Sequence, residues 1–427
     1  MHTGIRMLVS GQQHSRAALA GWCQRVAKKL QGANIGKRSV RALWVVMAFW
    51  ALTAAAAQDD YWRLPIPPQG KPAETDHPLT RDLSAASCGL CHPAQLKIWQ
   101  ESRHAGTMSK GLAGQLPSIA KQDPGACLAC HLPRTEQWAQ WNAEGVPALS
   151  KLGGVDCASC HVRNYKRFGA RDVKETPHGA VTALPLFKDS KFCAKCHQFP
   201  PGEGTILNGK PLENTYVEWL ASPYPEQGKS CQACHMPNAE HQFKGIHDRD
   251  MTRRGLAVRV TRGEQGIKIR ATNAGAGHAL PTYGTARVMI RAETIIDGEP
   301  RRSDFLIQRR LAWGVKSGWR EISDTRLAPG QSVNLSLPLA TAQTASVRVI
   351  VDPDQDYTER VYPMLLAAPI DLSKSERGLL EAARLAGSKT TYTLYDFQCG
   401  PWKGAEQLCA EEPDKTAKTE DAGRSVD

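Results

Sequence analysis

The sequence has no hydrophobic run long enough to cross a membrane as a helix. Its longest, Leu43 to Ala57, covers 15 residues, short of the ~20 that a bilayer requires. Acidic residues are missing from positions 1–57, where eight Lys and Arg occur. Cysteine is missing between positions 235 and 398, and histidine is scarce throughout, at 13 in 427 residues. There is no G-x-S-x-G, no H-E-x-x-H and no phosphate-binding glycine loop. These absences exclude the nucleophile elbow, the zincin helix and the P-loop as sources of function. The scattered Asp and Glu residues read as solvated surface.

The acid-free front of the chain reads as a secretory signal. Lys37, Arg38 and Arg41 precede the apolar run, which ends Ala55-Ala56-Ala57 before Gln58-Asp59, a small-residue cleavage site. The alternative is an uncleaved anchor, the only membrane attachment this reading allows. Either way the rest of the chain is expected outside the cytoplasm, in the periplasm, with an extracellular or membrane-associated position as alternatives. Without residues 1–57 the balance falls to 46 basic against 42 acidic side chains. That surplus is too small to argue for nucleic acid, and no basic stripe with interleaved aromatics supports one.

What the chain does have is one motif, five times. Cys88-Gly-Leu-Cys91-His92, Cys127-Leu-Ala-Cys130-His131 and Cys157-Ala-Ser-Cys160-His161 are followed by two more. These are Cys193-Ala-Lys-Cys196-His197 and Cys231-Gln-Ala-Cys234-His235. The motif uses ten of the thirteen cysteines. Zinc can use two thiolates and two imidazoles but does not require a histidine directly after the second cysteine. Covalent haem does, because the neighbouring thioethers fix that imidazole under the iron. Five repetitions point to five covalently bound haem c groups. Their propionates cancel the remaining positive surplus.

The chain divides by pattern. Residues 1–57 are the signal peptide, and 58–87 are a proline-rich extended lead-in. Residues 88–250 hold all five motifs and are expected to fold as short helices and loops packed on haem. Helices are expected from Pro93 to about His104 and from about Asn214 to before Pro223, the latter with Tyr216, Trp219 and Leu220 on one face. From residue 255 to 370, period-two alternation (Leu256, Val258, Val260; Ile267, Ile269; Val288, Ile290; Val333, Leu335, Leu337; Val347, Val349, Val351) predicts an antiparallel β-sandwich. Residues 371–427 are expected to contain a short helix near 374–386 and a partly disordered tail. The fold class is therefore α+β. Cys399 and Cys409, the two cysteines outside the motifs once Cys23 leaves with the signal, are expected to form a disulfide in an oxidising compartment.

Five irons ligated on both faces need five distal ligands. Six histidines remain for them: His77, His104, His178, His241, His247 and His278. His104 leaves a helix that begins at a haem motif, and His178 sits in a turn. His278 lies in the loop "NAGAGHALPT", whose glycines permit close backbone approach. His247 is preferred over His241, and His77 is the first choice as the spare.

The words "CGLCHPAQLKIWQESRHA" (88–105), "NTYVEWLASPYPEQGKSCQACHMP" (214–237), "HQFKGIHD" (241–248) and "NAGAGHALPTYGTARV" (273–288) resemble multihaem c-type cytochromes of the cytochrome c554 family. The likeness is to a subgroup with a C-terminal β-sandwich and spans roughly residues 77–350. It implies electron transfer, and distal ligation by the histidines matching His104 and His278.

The reading that follows is an electron-transfer protein, rather than an enzyme, passing electrons between donor and acceptor redox proteins. One alternative is a multihaem reductase of a nitrogen or sulfur oxyanion. However, the pentahaem nitrite reductases commonly carry a C-x-x-C-K, and this chain has none. Another alternative is a subunit of an extracellular cytochrome filament.

Overall fold

The computed structural model describes residues 61–119, 124–146, 149–200, 204–314, 318–368 and 372–413. The signal-like segment and nearly all of the charged tail lie outside the described residues. Each C-x-x-C-H run falls in or beside a short helix: Ala85–Gly89, Gly125–His131, Cys157–His161, Lys191–His197 and Cys231–His235. A single helical turn is what the motif needs, because residues three and four apart share a face. Side-chain caps start two of these turns. Ser84 accepts from the Ser87 N–H, and Asp156 accepts from the Ser159 N–H, satisfying donors a helix start leaves open.

Between the motifs lie other short elements. The helix expected after the first motif runs Pro93–Gln100, and the one near Asn214 runs Thr215–Leu220. The first ends before His104, which is left in the following turns. Side-chain cores here are small. One gathers Met108, Leu116, Leu128, Leu132 and Leu152 with Leu379 from the far end of the chain; another holds Leu83, Ala158 and Val162. The proline-rich segment is docked rather than trailing: Ile66 is fully buried, and its N–H reaches Pro133 O at 2.7 Å.

The C-terminal region consists of two antiparallel sheets. Its strands are β1 (Leu256–Gly263), β2 (Gly266–Asn273), β3 (Arg287–Ile296), β4 (Glu299–Ile307), β5 (Arg309–Gly314) and β6 (Gly318–Asp324). They continue with β7 (Ser332–Pro338), β8 (Ala345–Asp352), β9 (Tyr392–Cys399), β10 (Gln407–Leu408) and β11 (Ala410–Glu411). One sheet has the order β7-β2-β1-β10 and the other β11-β9-β8-β3-β4, with β5 and β6 as a separate hairpin. The expected alternation is present in the observed strands. Along β8, Val347, Val349 and Val351 are fully buried while their neighbours are not, as the two-residue side-chain period demands. These valines meet Val260 and Ile269 of the facing sheet in one shared core. Strands β4, β5, β6 and β9 were not anticipated: their exposed faces carry charge, and the arginine-rich β4 hides its alternation. Asp297 and Gly298, both at positive φ, form the two-residue β3–β4 turn that such backbone angles favour.

A disulfide joins Cys399 to Cys409, tying β9 of one sheet beside β10 of the other. The helix Lys374–Gly387 starts at a reciprocal cap between Ser373 and Glu376. It packs on Lys110–Ile119, where any side chain at Gly114 would collide with Leu380. Residues from Trp62 onward form one unit, so the motif-bearing region and the sheets share direct contacts. Buried Arg309 of β5 donates to Pro211 O (2.7 Å) and pairs with Glu321 of β6 (2.8 Å). Arg326 reaches Glu218 of the Thr215–Leu220 helix at 3.2 Å. Among the described residues no helix is long and apolar enough to cross a membrane.

Candidate functional site

Four of the five motif histidines face a second histidine. Ring centres are 6.4 Å apart for His92 and His178, and 6.1 Å for His161 and His241. For His197 and His104 the separation is 6.2 Å, and for His235 and His278 it is 6.3 Å with the planes only 15° apart. Direct stacking would bring the rings much closer. An iron held from both faces needs about 2 Å to each nitrogen, and each ring centre lies about 1.1 Å further out, so about 6.2 Å separates the centres. The residues therefore fit haem iron at four places.

Ring orientation is set by hydrogen bonds at Nδ1. His161 Nδ1 reaches Phe168 O at 2.8 Å, His235 Nδ1 reaches Lys244 O at 2.7 Å, and His131 Nδ1 reaches Thr107 O at 3.2 Å. His278 Nδ1 lies 2.9 Å from Ala279 O, and His178 Nδ1 lies 2.7 Å from Thr176 Oγ1. A carbonyl has no proton to give, so at His131, His161, His235 and His278 Nδ1 carries the proton and Nε2 keeps its lone pair for a metal. Burial keeps these rings neutral. It pushes His104 down to about 3, helped by His197 and His235 nearby, and His197 down to about 4.

The His278 loop shows how the sequence builds such a position. A Cβ at Gly275 would strike Arg254 O, and one at Gly277 would strike the Tyr224 ring. Glycine is thus required for the loop's close packing on Arg254 and Tyr224, protein neighbours rather than a cofactor. Asn273 Nδ2 donates to His278 O (2.8 Å), and Ala279 N donates to Glu218 Oε2 (3.1 Å). The loop is clamped between the β-sheets and the helix that precedes the fifth motif.

The remaining histidines are elsewhere. His241, not the preferred His247, stands opposite a motif histidine. His247 Nε2 is engaged by Asp354, 3.1 Å from each carboxylate oxygen, with Arg103 Nη2 at 2.9 Å. Both histidines follow the fifth motif in a short loop, and sequence spacing did not separate them. His77 is exposed and caps a turn, its Nδ1 accepting from Leu79 N. His131 is the exception among the motif histidines: among the described residues no histidine ring faces it.

The ten motif cysteines take no part in the Cys399–Cys409 disulfide. Several approach cysteines of other motifs: Cys88 approaches Cys157, Cys130 approaches Cys196, and Cys193 approaches Cys231. The first motif thus adjoins the third, the second adjoins the fourth, and the fourth adjoins the fifth.

Sequence reasoning missed one group of side chains. Tyr283 Oη is hydrogen-bonded to His197 Nδ1, and the Glu213 carboxyl and Thr215 hydroxyl approach the same phenol. Burial, with Cys130 nearby, pushes Glu213 up to about 8. The available signal was a tyrosine five residues after His278, in a loop already marked for close approach.

Facing imidazole pairs, each with one member on a C-x-x-C-H turn, are the donor arrangement of a multihaem c-type cytochrome. The comparisons agree. The family model for cytochrome c554 and c-prime matches residues 87–162, which span the first three motifs. The crystal structure of a penta-heme cytochrome c552 from Thermochromatium tepidum has a similar fold, with a TM-score of 0.54 at 16% identity. That alignment covers 78% of this chain and 100% of the other. No curated protein matches the sequence. The chain resembles the cytochrome c554 family over its first three motifs and shares the fold of a penta-heme cytochrome c552, which together support a multihaem c-type cytochrome with covalently bound haem c.

Proposed function

We propose that the chain is an exported pentahaem cytochrome that carries electrons between redox partners. The observation that carries the reading is the set of four histidine pairs with ring centres 6.1 to 6.4 Å apart. Haem c, bound at such pairs, supplies reversible one-electron chemistry. The ten motif cysteines provide the thioethers, and His92, His131, His161, His197 and His235 serve as proximal ligands. His178, His241, His104 and His278 serve as distal ligands of the first, third, fourth and fifth sites. Two imidazoles leave no position for a substrate and withhold the methionine that raises potential. The cysteine contacts bring the first site beside the third, and the second and fifth sites beside the fourth. Export agrees with the basic, apolar segment 1–57 and with the Cys399–Cys409 disulfide, which an oxidising compartment maintains.

The test is the mass of the purified protein together with its EPR and magnetic circular dichroism. Five haem increments and at least four low-spin bis-imidazole signals are expected; fewer than four such signals sinks the reading. His241→Ala should remove one low-spin signal, whereas His247→Ala should remove none. A second reading, a reductase of a nitrogen or sulfur oxyanion, is favoured by one observation: His131 faces no histidine among the described residues. Carbon monoxide binding to a single haem of the reduced native protein would support it, and failure to bind would count against it.

A further inference from the structure

Four of the motif histidines have an Nδ1 hydrogen bond. For His131, His161 and His235 the partner is a backbone carbonyl; for His197 it is the phenol of Tyr283. Every substitution preserves a backbone carbonyl, but a phenol is specified by one residue. Tyr283 comes from the loop leading into β3, which also carries His278, so this contact crosses from the β region to the fourth motif. The phenol has neighbours of its own: Glu213 and Thr215 approach its hydroxyl, and Thr215 Oγ1 lies 2.7 Å from Thr282 Oγ1. The His197 and Tyr283 rings lie nearly parallel, with centres 6.3 Å apart.

The fourth motif is also the junction of the cysteine contacts. Cys196 adjoins Cys130 of the second motif and Cys193 adjoins Cys231 of the fifth, with Cys160 of the third within electrostatic range of both. Whatever sets the energy of an electron at this position acts on the route that links the second motif to the fifth.

We propose that Tyr283 is a positioning residue that tunes the fourth haem site through His197, with Glu213 and Thr215 orienting its phenol. This inference rests on the haem reading of the motifs. The phenol oxygen accepts the Nδ1 proton of His197 as a hydrogen bond, and its own proton points to the Glu213 carboxyl. Partial withdrawal of the Nδ1 proton makes the imidazole a stronger donor at Nε2. A stronger donor favours the oxidised metal and lowers the potential. The proton stays on His197 throughout; a single electron enters and leaves the site, and no bond is made or broken.

The experiment is a redox titration of the intact, haem-loaded protein followed by EPR, comparing wild type with Tyr283→Phe and Glu213→Gln. The signal of the fourth site is identified by its loss in His104→Ala. Tyr283→Phe should keep all five haems and the number of low-spin signals. The midpoint of the fourth site alone should move to more positive potential, with a change in its g-values. Glu213→Gln, which keeps the side-chain shape, should move the same component in the same direction by a smaller step. Should Tyr283→Phe fail to accumulate, the Glu213→Gln titration decides the question alone. Unchanged potentials, or a common shift of all sites, would overturn the role of Tyr283. Absence of covalent haem from the wild-type protein would instead overturn the reading beneath it.

Discussion

The motif-bearing region and the β region are held together by different means. In the β region a single core joins both sheets, and Val288, Val347, Val349, Val351 and Leu394 are completely buried in it. Among the described residues the motif-bearing region has smaller clusters, one of which borrows Leu379 from the C-terminal helix. Its helices are too short to be stable alone, and its histidines face one another across gaps wide enough for a metal. The β region can fold on apolar side chains; the motif region leaves the interior to its cofactor. The contrast shows where each sequence pattern is informative: alternation predicts the first kind of core, and only a ligand motif predicts the second.

The largest effect should come from withholding haem. Replacing all ten motif cysteines with alanine should leave amides across residues 88–247 open to hydrogen exchange. Those of β3 and β8 should remain protected. Equal loss in both regions would break the contrast drawn here. Next in size is His278→Ala, which removes the β-region histidine proposed above as a distal ligand. All five haems should stay attached, because thioethers do not depend on it, while one low-spin signal becomes high-spin or takes an exogenous ligand. An unchanged EPR spectrum would count against ligation across the regions.

Opening the disulfide acts on the β region alone. The Cys399→Ser, Cys409→Ser double variant should lose about 2–3 kcal/mol of stability, the value for a loop near ten residues. Haem spectra should be unaltered. Chemical denaturation followed by tryptophan fluorescence and by Soret absorbance would separate the two responses.

The smallest effect concerns acid. Burial raises the cost of charge on Asp324, but Arg326 and Lys210 outweigh it and hold the carboxyl below its ordinary 3.8. A carboxylate depressed in the folded state contributes fully above its unfolded pKa and loses that contribution as pH falls below it. The contacts of Asp324 with Lys210 and Arg326 should therefore weaken below about pH 4. Asp324→Asn should flatten that acid response, measured as the pH dependence of the denaturation midpoint. An identical acid limb in the variant would remove Asp324 as its source.

Much of the molecule was legible because its determinants are local. Cysteine, cysteine and histidine at positions 1, 4 and 5 need one helical turn, and that turn forms at or beside every motif. The valine alternation of β8 needs only the pleat of a strand. By contrast, β4 was concealed by Arg301, Arg302 and Asp304, whose exposure on an edge strand costs nothing and leaves no apolar pattern. The expected helix reaching His104 ended at Gln100.

The sequence by itself determined the number of C-x-x-C-H motifs, their histidines, the alternating strands and the cysteines available for a disulfide. The tertiary structure alone decided which histidine faces which. His241 and His247 are six residues apart in one loop, so no pattern of spacing distinguishes them. His241 is brought opposite His161, while Asp354 from the chain beyond β8 captures His247. Tyr283 was invisible for the same reason. A hydrogen bond to a residue 86 positions away depends on how two distant segments meet, and a linear reading carries no record of that meeting.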